Sequence, residues 1–267
     1  MDPTVVSKAI IDVAASEVTS RFGTLSAADI TEKTPGEVVT EADSACERAL
    51  SARLQRIRDI PVVGEEATAA TASLTGLIRT AEACWLVDPL DGTSNFIAGS
   101  ADHSVMVALV EAGSTVASWM WHPANEVMAH ARQGVGAWLN NERVVARAPG
   151  HDLAFLRGVL KKRFLPDHVR DRVDTDRGIL AAASEGRNCA GLDYPDLVRG
   201  AVDFLFYWRT LPWDHAPGVL FAQEAGLHAA RPDGSEYHPG DDAFGLLVSH
   251  RQVWDNVRNA LFKSAQR

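Results

Sequence analysis

A layered α/β or α+β sandwich is the fold class this sequence predicts, on three observations. Helix-spaced segments alternate with short apolar runs that read as buried strands, a β-rich meander runs from His103 to Val145, and the second half interleaves strands and helices again. The chain has 267 residues, 46% of them hydrophobic and 23% charged, enough for one large domain or two modest ones sharing a core. No repeat, low-complexity tract or linker interrupts it, so it reads as one folding unit.

The elements follow in order. Asp2-Pro3 opens the first helix, Asp as N-cap and Pro in the first helical position, and Val6, Ile10, Val13 and Ala14 share one face. The second helix is predicted from Ala42 to Arg58, with Leu50, Leu54 and Ile57 inward and capping-box spacing at Thr40-Glu-Ala-Asp43. IPVVG (60–64) and CWLVD (84–88) read as buried strands, the second stopped by Pro89, with a helix between Leu74 and Ala83. From His103 the runs SVMVALV, VASWMW and VMAHA, parted by Glu-Ala-Gly and Pro-Ala-Asn turns, predict an antiparallel meander. Beyond it LAFLRGVL, ILAAAS, VDFLFYW and FGLLVS read as strands. Helices are predicted near Pro166–Val173, over Leu192–Gly200, over Asp214–Ala225 with Gly226 closing it, and from Gln252 onward.

Composition narrows the function. A net charge of −9 argues against a general binder of nucleic acid or anionic membrane, since both require clustered cations. No apolar run approaches the roughly 20 residues that span a bilayer, and the N-terminus carries acids early where a leader would be basic and then apolar. Cys46, Cys84 and Cys189 are odd in number, far apart and outside any CxxC pair, so neither a disulfide framework nor a zinc knuckle is predicted. These features predict an acidic cytoplasmic enzyme acting on a small molecule.

The chemistry concentrates in Trp85-Leu-Val-Asp88-Pro-Leu-Asp91-Gly-Thr93-Ser-Asn95-Phe96. A buried strand ends in Asp88, a proline bend returns Asp91 beside it, and the chain turns at Gly92 into a helix starting at Thr93. Paired carboxylates attract hard cations, and free N–H groups at a helix start attract phosphate. Without a cation the acids would repel one another and raise their own pKa values. Asp-Pro and Asp-Gly are separately ordinary turn dipeptides; the whole string is not. Two further acidic elements gain weight only beside that string: alone, Glu65-Glu66 just beyond a strand reads as a solvated pair, and Asp214 in Trp213-Asp214-His215 as an N-cap.

Together these segments closely resemble the inositol monophosphatase family in order and spacing, along with Val39-Thr40-Glu-Ala-Asp43 upstream and Gly134-Val-Gly136-Ala-Trp138-Leu-Asn140 in the meander. The resemblance covers nearly the whole chain. It implies a single αβαβα layered sandwich, an α+β fold of the inositol monophosphatase and fructose-bisphosphatase kind, whose halves 1–150 and 151–267 share one cleft. It implies Mg²⁺-dependent, Li⁺-sensitive hydrolysis of a phosphate monoester, inositol monophosphate first, by a homodimer with two or three Mg²⁺ per site. Histidinol phosphate and other sugar or nucleotide phosphates are the alternative substrates, and a regulatory binding protein retaining the fold is the non-enzymatic one.

By resemblance, Glu65, Asp88, the Leu90 carbonyl and Thr93 line a first Mg²⁺ site, and Asp88, Asp91 and Asp214 a second. The all-oxygen set suits Mg²⁺ over zinc. Glu65 and the Thr93 hydroxyl would orient and deprotonate water, Asp43 would hold Thr93, and Gly92 and Thr93 N–H groups would clasp the phosphate. Lys33 reads as solvated, or else as neighbour to a third cation or the phosphate, and Lys161-Lys162-Arg163 as a solvated face in preference to a contact for an anionic ligand. His103, His122 and His130 receive no role.

The alcohol side departs from the family pattern. Asn188-Cys189-Ala190 stands where Gly-Ser/Thr-Ala is expected, and Tyr207 or Trp208 stands where an acid accepts hydrogen bonds from inositol hydroxyls. Asp91, Gly92, Thr93, Asn188, Cys189, Ala190, Tyr207 and Asp214 are the predicted substrate contacts. Losing that acid predicts weaker polyol binding by roughly 1–3 kcal/mol.

Overall fold

The structure, a computed structural model, describes residues 2–34, 36–148, 156–176 and 178–262. Asp2 caps the first helix, its carboxylate accepting the Thr4 N–H at 2.9 Å, and α1 (Pro3–Val13) buries Val6, Ile10 and Val13. A hairpin of β1 (Ile30–Thr34) and β2 (Glu37–Thr40), not foreseen from sequence, leads into α2 (Glu41–Ile57). The capping box forms: Asp43 accepts from the Thr40 N–H at 2.8 Å and hydroxyl at 2.6 Å.

The seven-stranded sheet runs β3 (Val62–Gly64), β4 (Ala83–Asp91), β5 (Ser104–Glu111), β6 (Ser114–His122), β7 (Val127–Arg132), β8 (Gly136–Leu139) and β9 (Glu142–Val144), in that order. Only the β3–β4 pair is parallel, and the rest is the predicted meander. Short helices α3 (Glu65–Ala70) and α4 (Leu77–Thr80) join β3 to β4, and α5 (Thr93–Ile97) follows β4. The helix predicted over 74–83 is thus a single turn of α-helix preceded by 3₁₀ structure.

The second sheet has five strands. They are β10 (Gly158–Leu160), β11 (Ala183–Ser184), β12 (Phe204–Tyr207), β13 (His228–Ala230) and β14 (Leu246–Ser249), ordered β11-β10-β12-β14-β13. Its helices are α6 (Asp167–Thr175), α7 (Ala190–Val198), α8 (Pro212–Glu224) and α9 (Arg251–Phe262).

Side-chain alternation along β4 explains the layering. Trp85 and Val87 face a core with Val6 and Ile10 of α1 and Leu50 and Leu54 of α2. Cys84 and Leu86 face the opposite way, into a core shared with Tyr194 of α7, Phe221 of α8 and Leu205 and Val248 of the second sheet. Phe204, Phe206 and Leu247 cover that sheet's far face with Val169 of α6 and Trp254 of α9. The order is therefore helix, sheet, helix, sheet, helix, an α+β sandwich of five layers.

Three expectations are corrected. β4 is not stopped by Pro89 but runs to Asp91, because the register shifts between Asp88 and Asp91 and the proline sits in that irregularity, where no ladder donor is required. ILAAAS supplies only the two residues of β11, and of LAFLRGVL only Gly158–Leu160 is strand, residues 153–155 lying outside the described residues. Asp214 is not an N-cap: α8 begins two residues earlier, at Pro212, with Leu211 in the cap position.

Candidate active site

The site gathers at the carboxyl ends of β3 and β4 and the start of α8. Asp88 is buried, and its Oδ1 accepts the Leu90 N–H at 3.0 Å, the bond that folds the Pro89 bend. Asp91 is held from three sides. Its Oδ2 accepts from the Gly191 N–H at 2.7 Å, the Cys189 thiol at 3.1 Å and the Ser104 hydroxyl at 3.3 Å. Glycine at 92 answers the geometry: φ is +85°, and a Cβ there would lie 2.8 Å from the Asp102 carbonyl oxygen.

Glu65 is placed by a different device. It is the first residue of α3, and Glu47 of α2 caps that helix, accepting the Glu66 and Ala67 N–H groups at 2.7 and 2.8 Å. The approach is so close that a Cβ on Gly64 would lie 2.3 Å from the Glu47 carboxyl carbon.

Thr93 Oγ1 lies 3.0 Å from Asp43 Oδ1 and 2.9 Å from the Leu90 carbonyl oxygen, so one hydroxyl proton faces two acceptors. The contact between Asp43 and Thr93 is therefore present, and Asp43 caps α2 as well. Lys33 is not solvated. Its ammonium bonds Glu65 at 3.0 Å and Glu66 at 2.5 Å, with its side chain 16% exposed.

Acids outnumber cations at this end of the cleft: Glu37, Glu65, Asp88, Asp91 and Asp214 stand beside Lys33, Arg163 and Arg209. Burial, and then the charges of Glu65, Asp91 and Asp214, hold the Asp88 carboxyl far above its usual value. Asp214 is pushed the same way by burial, Glu65 and Asp91, partly offset by Arg209. Burial carries Asp91 and Asp43 to about 6 and Glu66 to about 7. Burial opposes the Lys33 charge, yet its two carboxylates outweigh it and hold the ammonium above its ordinary value.

Glu65, Asp88, the Leu90 carbonyl, Asp91, Thr93 and Asp214 all border one cavity of about 350 Å³. Among the described residues no three His, Cys, Asp or Glu side chains close on a single point tightly enough to form a finished metal site. The donor chemistry nevertheless fits a hard divalent cation. The donors are all oxygen, and burial, then neighbouring acids, hold three aspartate carboxyls above their usual values, a state that a bound cation would reverse.

Asp91, Asn188, Arg209 and Asp214 also border a second cavity, of about 200 Å³, reaching Lys161, Cys189, Ala190 and Tyr207. Asn188 adopts φ +56°, the left-handed region that explains why glycine is expected there and why Asn substitutes for it. Its side-chain oxygen accepts from Lys161 Nζ at 2.8 Å. Tyr207 is buried, and its hydroxyl donates to Asp193 at 2.8 Å, so that proton is already committed within the protein. Arg209 pairs with Glu37 and stacks its guanidinium 4.1 Å above the Phe164 ring.

Several of these residues escape sequence reasoning. Lys161-Lys162-Arg163 is corrected from a solvated face to a divided one: Lys161 borders the smaller cavity, Lys162 pairs with Asp174, and Arg163 borders the larger cavity and donates to the Gly36 carbonyl. The adjacency of three cations was visible, but which of them face inward was not. Ser104 and Glu47 carried no signal, because each acts on a residue distant in sequence.

A five-layer sandwich with an acid-lined cleft at its strand ends defines the inositol monophosphatase class of fold. The chain belongs to the inositol monophosphatase family, whose sequence profile matches residues 2–267. It is 29% identical over 234 residues to the fructose-1,6-bisphosphatase/inositol-1-monophosphatase of Thermotoga maritima, covering 86% of this chain and 85% of that protein. It is 30% identical to inositol monophosphatase 2 of Solanum lycopersicum, over 91% of this chain and 92% of that one. It is also 30% identical to the Nus factor SuhB of Vibrio cholerae, over 73% and 72%. In structure it is similar to a Thermotoga maritima IMPase, with a TM-score of 0.81 and 23% identity over 98% of this chain and 97% of that chain.

Proposed function

We propose that this protein hydrolyses a small phosphate monoester with Mg²⁺ as its metal. Inositol monophosphate is the simplest ester to which family membership points. One observation carries the reading: Asp88, Asp91 and Asp214 crowd three carboxyls at one cleft, and among the described residues no side-chain cation is ion-paired to any of them. Glu65, Asp88, Asp91, Asp214, the Leu90 carbonyl and Thr93 would hold the metal, two or three ions in all. Bound there, the metal supplies a neutralising charge for the carboxyls and the phosphate and makes water acidic enough to attack.

The chain's own residues do the rest. Glu65 and Thr93 orient water and the Glu65 carboxylate accepts its proton, with Asp43 fixing the Thr93 hydroxyl. Gly92 and Thr93 present backbone N–H groups to the phosphate oxygens at a turn glycine alone permits. Asp91, clamped by Gly191, Cys189 and Ser104, holds its place without adjusting at each turnover. Ala190 and Cys189, on the wall of the neighbouring cavity, shape the space for the alcohol. Uncatalysed monoester hydrolysis is slow enough that such a site must lower the barrier by on the order of 20 kcal/mol.

The same reading includes inhibition by Li⁺, a small hard cation that competes for oxygen ligands, together with a homodimer working in the cytoplasm. Among the described residues no helix is long and apolar enough to cross a membrane. Phosphate release from inositol 1-phosphate and p-nitrophenyl phosphate, with Mg²⁺ and after EDTA, tests the proposal. Turnover that EDTA abolishes and Mg²⁺ restores is the expected result; no metal-dependent release from either ester leaves the fold serving as a binding protein.

A further inference from the structure

Asn95 belongs to the string that carries the acids, yet no step above uses it. Its side chain is half-buried, four residues beyond Asp91. The amide nitrogen donates to two backbone carbonyls, those of Asp102 and Arg187, each at 2.7 Å. These carbonyls belong to different halves of the chain, one in the loop between α5 and β5, the other just before α7. Each stands at the head of a segment that grips Asp91. Two residues beyond Asp102 comes Ser104, whose hydroxyl reaches Asp91 Oδ2 at 3.3 Å. Two and four residues beyond Arg187 come the Cys189 thiol and the Gly191 N–H, at 3.1 and 2.7 Å from the same oxygen. The Arg187 side chain doubles the tie, its Nη1 meeting Asp102 Oδ1 at 3.1 Å while its Nε holds Asp196 at 2.7 Å.

We infer that Asn95 is a positioning residue for the proposed metal: it sets the Asp91 carboxyl by fixing both segments that clamp it, with Arg187 as a second tie. The inference rests on the phosphatase reading above and deepens it. Of the described residues that border the two cavities, Asn95 is not one, so it acts through Asp91 and not by contact with what the cleft holds. Asparagine suits the place because one planar amide presents two N–H groups on a short stem. Serine offers a single donor, and an aspartate would set acceptors against both carbonyls. A carboxyl held from both halves keeps one orientation toward an incoming cation. Freeing either segment lets it swing, and metal affinity falls before the fold does.

Calorimetric titration of Mg²⁺ into the full chain tests this without turnover, beside phosphate release from p-nitrophenyl phosphate and the thermal midpoint in EDTA. Asn95→Ala should weaken Mg²⁺ binding about tenfold, and Asn95→Ser, which keeps one donor, should fall between it and the unaltered protein. Arg187→Met should show a smaller loss that Arg187→Lys restores. Made in Asp91→Asn, the Asn95→Ala change should cost little more, because its effect passes through the Asp91 carboxylate. A tie that served the fold alone would lower the midpoint in EDTA and leave the Mg²⁺ dissociation constant where it was. Circular dichroism checks folding, and if Asn95→Ala does not fold, Arg187→Met and Arg187→Lys, altered at an exposed side chain, decide the matter. Unchanged Mg²⁺ affinity in the folded variants, or a loss that persists undiminished in Asp91→Asn, overturns the inference and leaves the phosphatase intact. No Mg²⁺ binding and no phosphate release by the unaltered protein overturns the phosphatase reading itself, and the positioning role with it.

Discussion

Asp91 shows how much one side chain is asked to do. Its Oδ2 takes three donors from two other segments, which fixes the carboxyl so that its remaining capacity faces the cleft. Asp91→Asn keeps the shape and removes the charge, so kcat should fall by about a hundredfold or more with little change in the thermal midpoint; steady-state kinetics beside a melting curve checks both. His122 makes a purely structural prediction. Its Nε2–H donates to the Gly191 carbonyl at 2.6 Å, and burial lowers its pKa from 6.5 to about 4. The unfolded chain therefore binds this proton before the folded one does. The stability His122 contributes is complete above about pH 6.5 and is lost as pH falls through about 4. Denaturant titrations between these values should show stability declining with acid, and more shallowly in His122→Asn; equal slopes would remove His122 as the cause.

At the scale of elements, the proposed catalytic groups depend on how short segments are capped. α3 has only six residues, too few to persist alone, and Glu47 satisfies two of its N-terminal donors. Glu47→Ala should cost about 1–2 kcal/mol of stability. It should also lower kcat by loosening Glu65 and Glu66, whereas a purely structural cap would affect the melting midpoint alone. α8 makes the contrasting case. It is buried along most of its length between the two sheets, and a Cβ on Gly218 would sit 2.0 Å from the Tyr194 ring, so close packing against α7 requires glycine there.

Across the whole molecule, the cleft brings Asp88 and Asp91 of the first sheet together with Asn188, Arg209 and Asp214 of the second half, so the proposed metal binding would be coupled to the stability of the entire sandwich. Burial first, and the crowding of Asp88, Asp91 and Asp214 next, oppose ionisation of these carboxyls in the metal-free fold, and a bound divalent cation would offset both. Saturating Mg²⁺, at about a hundred times its dissociation constant, should raise the melting midpoint by roughly 5–10 °C. Asp88→Asn should blunt that rise, and calorimetry with and without EDTA reads both. No shift with Mg²⁺ would mean that the carboxylates do not bind it.

The sequence by itself determined the local elements and their chemistry. Asp2 and the Thr40–Asp43 box announce helix starts because their hydrogen bonds span only a few residues. The meander is legible because its strands pair with their neighbours, and the Asp88–Asp91 string is legible because its bend, turn and acids are contiguous. Tertiary structure alone decided what depends on partners far along the chain: that Pro89 rides inside a strand, that Lys33 bonds Glu65, that Tyr207 turns to Asp193, and that Lys161 and Arg163, flanking Lys162, border the cleft. Hydrogen-bond partners within one turn leave a pattern in the string of residues. A charge's solvation and direction are set by packing between layers, and that exists only once the sheets have met.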